Sequence, residues 1–384
     1  MQRRDFIKAG ALASSGLVLG SQSTAGGGQS FFSVGKRHGR WCFNHPDGRV
    51  FWSIGMNHVD PASLRYEESG GVWETRYHNS MQEWLRQVKR DLTGWGFNTL
   101  GWNQEVVTIN EQNHRHSRGF TYEEYQWLGM PYCHLLPFIE LHQWEMETRL
   151  PDIKSPGFAE WCEYVARDQC SRLKDDPKLI GYFYTDCPAF LHNNEHTKWK
   201  APLFDPALLA SASGRRELQS LATIYYRVLH DAIRRYDRNH LILGDRYDAN
   251  HTMAEEIVTA ALPYVDVLSF QCFGGPQVVK EKIGKWAEFA AKPVLLADSA
   301  MFAEPYDPAF PPAQIRHQDG NGYAAILEVL KSIPQSVGFH LCGAYIRNKV
   351  RKLGLKDCQD QVDSPYAENL AKANADMQRW VESL

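Results

Sequence analysis

The sequence predicts an α/β fold, a (β/α)8 TIM barrel with a short N-terminal β-hairpin and a C-terminal closing helix. From residue 39 onward, short apolar runs rich in β-branched and aromatic residues alternate with longer segments of helical periodicity. The runs number eight, as a closed barrel requires, whereas open doubly wound sheets usually have fewer strands. No glycine-rich phosphate loop follows the first run, so the main open-sheet alternatives lack their motif.

Composition and charge exclude several classes of protein. The 384 residues are 43% hydrophobic and 12% aromatic, as in a globular protein. A formal net charge of −3 provides no broad positive field, so nucleic acid is not expected as a partner. The eight cysteines form no CxxC pair and have no metal-like spacing with histidine, so the sequence predicts no metal site.

The N-terminus matches a twin-arginine export signal. Arg3 and Arg4 are followed by Asp-Phe-Ile-Lys, an apolar stretch and small residues that end near Ala25. We expect a signal peptide over residues 1–25, a flexible Gly-rich segment over 26–38 and one catalytic barrel over 39–384, periplasmic or secreted. No later segment has about 18 consecutive apolar residues, so no membrane contact is expected after signal removal.

The predicted elements begin with two apolar runs, Gly39–Phe43 and Val50–Ile54, which flank a turn-rich loop and indicate a hairpin. The predicted barrel strands are Phe51–Met56, Phe97–Gly101, Tyr132–Phe138, Leu179–Tyr184, Leu241–Gly244, Val265–Phe270, Pro293–Ala297 and Val337–Cys342. The predicted helices are Met81–Trp95, Phe158–Lys174, Arg215–Tyr236, Ala254–Leu262, Val278–Ala291, Tyr323–Ser332 and the closing helix Ala367–Ser383. The polar stretch Asn103–Met130 is expected to be an irregular crossover that shapes the cleft.

Two acids follow predicted strands on opposite sides of the barrel mouth. Asp186 follows the fourth strand and Asp298 the seventh, at the carboxyl ends where barrel enzymes carry their chemistry. Two facing carboxylates suit glycosidic cleavage, because one can protonate the leaving oxygen while the other attacks the anomeric carbon or activates water. Asp186 and Asp298 are therefore the candidate catalytic residues. The alternative is that each caps the helix after its strand.

Other polar and aromatic side chains at the strand ends are candidate substrate contacts. They are His58, Trp102, Asn103, Asp245, Arg246, Gln271, Tyr345 and Arg347. Trp102 can stack on a pyranose face, with a core position as its alternative. The alternative for His58 is a structural imidazole, and that for Asp245 with Arg246 is a salt bridge across the rim. Arg347 suits a sulfate or carboxylate, which extends the expectation to anionic glycans.

Several motifs resemble the catalytic barrel of beta-agarase-like glycoside hydrolases. These are the Gly-Arg-Trp, Pro-Asp-Gly and Phe-Trp-Ser-Ile-Gly-Met-Asn-His-Val stretches within residues 39–59, the Trp-Gly-Phe-Asn-Thr-Leu-Gly-Trp stretch at 95–102, and Gly-Tyr-Phe at 181–183. Gly338-Phe339-His340, Ala344-Tyr345 and the Asn-Ala-Asp-Met stretch at 374–377 extend the resemblance to the end of the chain. It implies a barrel of a retaining clan that places Glu after strands four and seven.

The chain departs from that clan at both expected Glu positions. Thr185-Asp186-Cys187 stands where the resemblance implies Asp-Asn-Glu, so that Cys187 occupies the acid/base position, and Asp298 replaces the second Glu. Asp is one methylene shorter than Glu, so the pair should lie farther apart than the roughly 5–5.5 Å of retaining enzymes, toward the roughly 6.5–9.5 Å of inverting ones. Inversion, with Asp186 as acid and Asp298 as base, and retention, with Asp298 as nucleophile, both stay open. A thiol nucleophile at Cys187 is a further alternative.

The sequence thus predicts a glycoside hydrolase that cleaves an oligo- or polysaccharide, agarase-like, and needs no cofactor because carboxylates alone can carry out both proton transfer and attack. One alternative is a carbohydrate-binding pseudo-enzyme, since both expected Glu residues are lost. Another is a metal-dependent barrel hydrolase or lyase that uses His58, Asp60, Asp245 and Asp298.

Overall fold

The structure is a computed structural model that describes residues 31–103, 106–108, 114–139, 141–142, 147–148, 152–186, 205–300, 321–342, 345–347 and 354–384. Its main feature is a closed barrel of eight strands, all paired in parallel. Barrel strands one to eight are Ser53–Met56, Thr99–Leu100, Tyr132–Leu135, Leu179–Asp186, Leu241–Asp248, Leu268–Gln271, Val294–Ser299 and Ser336–Leu341. The predicted (β/α)8 barrel is confirmed.

The strands that carry the two candidate acids are longer than the sequence predicts. Strand four includes Asp186 as its last residue, and strand seven includes Asp298. The barrel closes where Gly338 to Leu341 of strand eight pair with Ser53 to Met56 of strand one. Both acids therefore lie on hydrogen-bonded strands of a closed sheet rather than on loops, which fixes their positions more firmly.

The described residues contain nine α-helices. They are α1 (Val72–Tyr77), α2 (Met81–Gly94), α3 (Tyr122–Leu128), α4 (Pro156–Leu173), α5 (Ala212–Tyr236), α6 (Glu255–Ala261), α7 (Pro276–Ala290), α8 (Asn321–Ser332) and α9 (Ser364–Glu382). All the predicted helices are present. Helices α2, α4 and α5 begin after Ser80, Ser155 and Ser211, whose hydroxyls accept a backbone N–H of the first turn. No helix among these is long and apolar enough to cross a membrane.

An antiparallel sheet covers the amino end of the barrel. It consists of Ser33–Arg37, Arg40–Asn44 and Val50–Phe51, and includes the predicted hairpin. Phe51 pairs with Phe43 in this sheet, so barrel strand one begins at Ser53 and not at Phe51. Ser33–Arg37 also lies inside the span 26–38 expected to be flexible, yet it is a strand with five paired positions. The signal segment and residues 26–30 lie outside the described residues.

The barrel interior is filled by apolar side chains from alternate strand positions. Ile180, Phe183, Leu243, Val267, Leu295 and Val337 form one buried cluster there with Phe32, Phe43 and Phe51 of the N-terminal sheet. The backbone N–H of Trp41 also donates to the carbonyl of Pro334, just before strand eight. The sheet therefore closes the amino end of the barrel. The opposite, carboxyl end of the strands is where barrel enzymes bind substrate.

The predicted irregular crossover between strands two and three contains regular elements. Val106–Thr108 pairs antiparallel with His114–Ser117. The next turn begins α3, where the Thr121 hydroxyl and the Glu124 carboxylate each accept the other residue's backbone N–H. Such a Thr-x-x-Glu capping box is visible in the sequence, but the short length of the helix makes its periodicity weak.

Candidate active site

One buried arginine joins the two candidate acids. The Arg246 side chain donates from Nε and Nη2 to Oδ1 of Asp186, at 2.9 and 2.5 Å, and its Nη1 lies 3.4 Å from Oδ2 of Asp298. The three residues come from strands five, four and seven and are all buried. The structure therefore brings Asp186 of strand four and Asp298 of strand seven to one guanidinium.

A glycine bulge in strand five aims Arg246 inward. Leu241 and Leu243 lie in the interior cluster, so regular alternation would also turn the side chain of residue 245 inward. Gly244 has φ +70°, and the register with strand four shifts at this point. Arg246 consequently points inward, while Asp245 points outward to α5. A Cβ at residue 244 would lie 2.9 Å from Val265 Cγ1, so glycine also fits this position sterically.

Asn57 orients Asp298. Its Nδ2 donates to Oδ1 of Asp298 at 2.7 Å and to the Ala297 carbonyl at 2.8 Å, and its Oδ1 accepts the backbone N–H of Trp102 at 2.7 Å. A Cβ at residue 101 would lie 2.1 Å from Asn57 Oδ1, so Gly101 makes room for this amide. Asn57 follows strand one in the sequence, but nothing in its local pattern predicts a bond to strand seven.

A neutral histidine lies below the acids inside the barrel. Asn98 Oδ1 accepts from the backbone N–H of Ile54 and from Thr99 Oγ1, so the Thr99 hydroxyl accepts from Ser53 Oγ. Ser53 Oγ is 2.8 Å from His340 Nε2 and has given its proton to Thr99, so the proton of His340 is on Nε2. No described residue hydrogen-bonds to Nδ1 of His340. Burial and then the charge of Arg246 lower the pKa of His340 to about 3.

Trp102 stacks on Arg246 rather than standing open to solvent. The guanidinium carbon lies 4.3 Å from the centre of the indole, and Phe183 packs against the same ring at 5.4 Å between centroids. Only 1% of Trp102 is exposed. The stacking surface that the sequence predicts for a sugar ring is therefore occupied by Arg246, and the indole holds the guanidinium between the acids through a cation–π contact.

His58 and Gln271 are the other predicted contacts close to Asp298. A ring nitrogen of His58, a carboxylate oxygen of Asp298 and Sγ of Cys342 lie within 4.8 Å of one another. Gln271 ends strand six opposite Asp298 in the sheet register. Imidazole, carboxylate and thiolate groups are all metal ligands. Among the described residues, His58, Asp298 and Cys342 are therefore the group that could hold a metal ion. The place of Cys342 in this trio is not predictable from the sequence, because the three residues are far apart along the chain.

Four of the predicted substrate-binding residues lie outside this cluster, and each forms hydrogen bonds with another part of the fold. Asn103 anchors the segment that follows strand one, since its amide accepts from the Val59 N–H and donates to the Val59 carbonyl. The Tyr345 hydroxyl donates to Asp91 on α2, and the Arg347 guanidinium bonds Asp363 before α9.

Asp245 is the fourth of these residues and faces helix α5. Its oxygens accept from the hydroxyls of Tyr225 and Tyr226, at 3.1 and 2.8 Å, so the suggested Asp245–Arg246 rim pair does not form. Burial raises the pKa of Asp245 to about 7, although the tyrosine bonds act against that shift. The metal set of His58, Asp60, Asp245 and Asp298 is consequently not assembled. Cys187 lies outside the described residues.

Comparison with known proteins identifies the fold through solved structures. No protein-family model matches the chain, and no curated protein matches it by sequence. An agarase, AgWH50C, superposes with a TM-score of 0.70 at 16% identity over 94% of this chain and 65% of that one. An exo-beta-agarase gives 0.71 at 15% identity over 91% and 66%, and a beta-glucuronidase of Bacteroides uniformis gives 0.54 at 13% identity over 89% and 37%. The chain spans about two-thirds of the length of the two agarases. Its architecture is therefore the barrel fold found in these agarases and glycosidases.

Proposed function

We propose that this chain is a glycoside hydrolase that cleaves O-glycosidic bonds of an oligo- or polysaccharide, agarase-like and including anionic glycans. The observation that carries the proposal is the meeting of Asp186 and Asp298 at one guanidinium in the mouth of a closed barrel. Glycosidic cleavage needs two carboxyl groups on either side of one bond. The agarase fold supports the same assignment and does not specify the sugar or the linkage.

Asp298 is the proposed nucleophile or base. It lies on a strand and accepts from Asn57 at 2.7 Å, with the Arg246 cation 3.4 Å away, which suits a group that acts as an anion. Retention and inversion both use Asp298 in this form. They differ in whether it attacks the anomeric carbon or removes a proton from water.

Asp186 is the proposed acid in the inverting mechanism. It must then carry a proton, so its two bonds from Arg246 have to be exchanged for substrate contacts when the sugar binds. The retaining mechanism instead takes its acid from another residue. NMR of the first-formed product separates the two, because inversion and retention give opposite anomers.

His58 and Gln271 are proposed as substrate contacts because they flank Asp298. Arg246 is proposed to exchange its bonds to the acids for bonds to sugar oxygens, which would also uncover Trp102 for stacking. Asn103, Asp245, Tyr345 and Arg347 are left out, since each is committed to a partner outside this cluster.

The test is a hydrolysis screen on agarose and on neutral, sulfated and uronic acid-containing glycans, followed by reducing-end release. We expect Asp298→Asn to lower kcat by at least about 100-fold, the usual contribution of such a group. The matched control is Asp176→Asn, a buried acid that accepts from Tyr132 before strand four, at the opposite end of the barrel. The proposal fails if wild type binds glycans without cleaving any, or if the two variants hydrolyse equally well. Binding without cleavage would favour the carbohydrate-binding alternative.

We also propose that the chain is exported by the twin-arginine pathway to the periplasm or beyond. The proposal rests on Arg3-Arg4 and the apolar stretch that follows. Replacing both arginines by lysine should leave the protein in the cytoplasmic fraction, whereas export of that variant by the same route would contradict the proposal.

A further inference from the structure

Three metal-ligating side chains meet at the ends of neighbouring barrel strands. Asp298 belongs to strand seven, Cys342 directly follows strand eight, and His58 follows strand one by two residues. One oxygen, one sulfur and one ring nitrogen from these residues lie within 4.8 Å of one another. His58 and Asp298 are buried, and 8% of Cys342 is exposed. Their positions along the chain give no ligand spacing, so only the closed barrel reveals the trio.

The backbone around the trio is tied to the sheet. The N–H of Cys342 donates to Ser299 O at 2.8 Å, and the N–H of His58 donates to Trp102 O at 3.0 Å. His58 has φ +55°, a conformation that costs a non-glycine residue roughly 1–3 kcal/mol. His58 keeps this strained backbone conformation beside Asp298. Strained residues of this kind are common at active sites and ligand-binding sites.

We propose that His58, Asp298 and Cys342 bind one zinc ion, with the fourth coordination position open. Thiolate, imidazole and carboxylate together are a zinc-type donor set, whereas magnesium and calcium prefer oxygen ligands alone. Three protein ligands with one open position is the usual arrangement of accessible zinc sites. Zinc ligands lie about 2.0–2.3 Å from the ion and therefore roughly 3.3–3.6 Å apart in a tetrahedron, so small side-chain rotations would complete the site.

The neighbours of Asp298 affect the strength of this site in opposite directions. Asn57 donates to Oδ1 of Asp298 at 2.7 Å, and such a second bond orients a metal-binding carboxylate. A carboxylate offers about four lone-pair directions, so this bond is compatible with ligation. Arg246 places a positive charge 3.4 Å from Oδ2 of Asp298, which weakens binding of a cation. The site is therefore expected to bind zinc reversibly rather than to retain it permanently.

Zinc at this site would inhibit glycan cleavage. The ion would occupy the carboxylate of Asp298, which the proposed reaction needs for attack or proton removal. This consequence rests on the proposed function, but the binding itself does not. Zinc inhibition also distinguishes the site from a metal-dependent hydrolase, in which a chelator would abolish activity instead of restoring it.

Calorimetric titration of zinc chloride into the metal-stripped full chain tests the site. We expect saturation at one ion per chain, and an affinity at least about tenfold lower in Cys342→Ser and in His58→Gln. Cys358→Ser is the matched control, because Cys358 lies on the segment before α9 and its sulfur is directed to Glu68 O. Cobalt in place of zinc should give a thiolate charge-transfer absorption. Cys342→Ser should lose this absorption, and Cys358→Ser should keep it.

Each outcome of these measurements decides the proposal. The proposal is overturned if the folded wild-type chain shows no saturable zinc binding, or if Cys342→Ser and His58→Gln, confirmed as folded by circular dichroism, bind as wild type does. Saturating zinc should also reduce hydrolysis, with recovery on adding EDTA. Binding without inhibition would refute only the inhibitory consequence. If no glycan is cleaved at all, the calorimetry still decides the site.

Discussion

Removing Arg246 should reveal how much its pairing with the two buried acids contributes to the stability of the folded protein. The Arg246 side chain is 1% exposed, and those of Asp186 and Asp298 are 8% and 2% exposed. Arg246→Met keeps a similar volume but leaves both carboxylates facing each other without their shared partner. Breaking a buried ion pair by removing one side costs about 3–5 kcal/mol, and we expect the free energy of unfolding to fall by that amount.

Urea unfolding monitored by tryptophan fluorescence measures the loss, with the slope against denaturant as a check on unchanged compactness. The control is Arg215→Met, which removes an arginine whose side chain is 50% exposed and pairs with Glu256. Such a surface pair contributes about 0–1 kcal/mol. In an Asp186→Asn, Asp298→Asn background, Arg246→Met should cost less than in wild type, by about 1–3 kcal/mol of coupling.

The ion-pair explanation is refuted if Arg246→Met and Arg215→Met destabilise the protein equally. It is also refuted if Arg246→Met costs the same with and without the two acids, because the loss would then come from packing against Trp102 and not from charge. Circular dichroism on the same samples confirms that the barrel is retained.

Further expectations concern buried groups around the site. The pKa of Asp245 is raised in the folded state to about 7, so stability should fall as the pH rises from about 4 to about 7, by roughly 4 kcal/mol in total, and urea titrations of Asp245→Asn should lack this decline. Gly55→Ala places a Cβ 2.3 Å from His340 Cδ2 and should lower the free energy of unfolding by roughly 1–3 kcal/mol. The control Gly284→Ala, in open space within α7, should raise it by about 0.5–1 kcal/mol. Equal shifts in the urea unfolding midpoint of the two variants would contradict this steric explanation. The pKa of His340 is lowered to about 3, so nitrogen-15 NMR should find its ring neutral with the proton on Nε2 from pH 5 to 8, and a titration in that range would disprove the proton assignment.

Much of the fold is predictable because its signals are local. The strands are apolar runs with β-branched residues, and their alternation with helical periodicity identifies the barrel without any long-range information. The positions where the strands end are less predictable. Strands four and seven continue through Asp186 and Asp298, since backbone pairing with neighbouring strands outweighs the polar character of those residues.

The candidate site is only partly predictable, because its geometry depends on contacts between strands. Asp245 and Arg246 look equivalent in the sequence, but the Gly244 bulge sends one to α5 and the other into the mouth. Tyr345 and Arg347 follow strand eight as mouth residues would, yet their chain segment turns toward α2 and α9.

The proposed role of Asp298 is tested most directly by comparing glycan cleavage by wild type and Asp298→Asn on the substrate that the screen identifies. We expect wild type to release new reducing ends, and Asp298→Asn to bind the glycan still but to cleave it at least about 100-fold more slowly. Undiminished cleavage by the folded Asp298→Asn variant would contradict the assignment of this carboxylate.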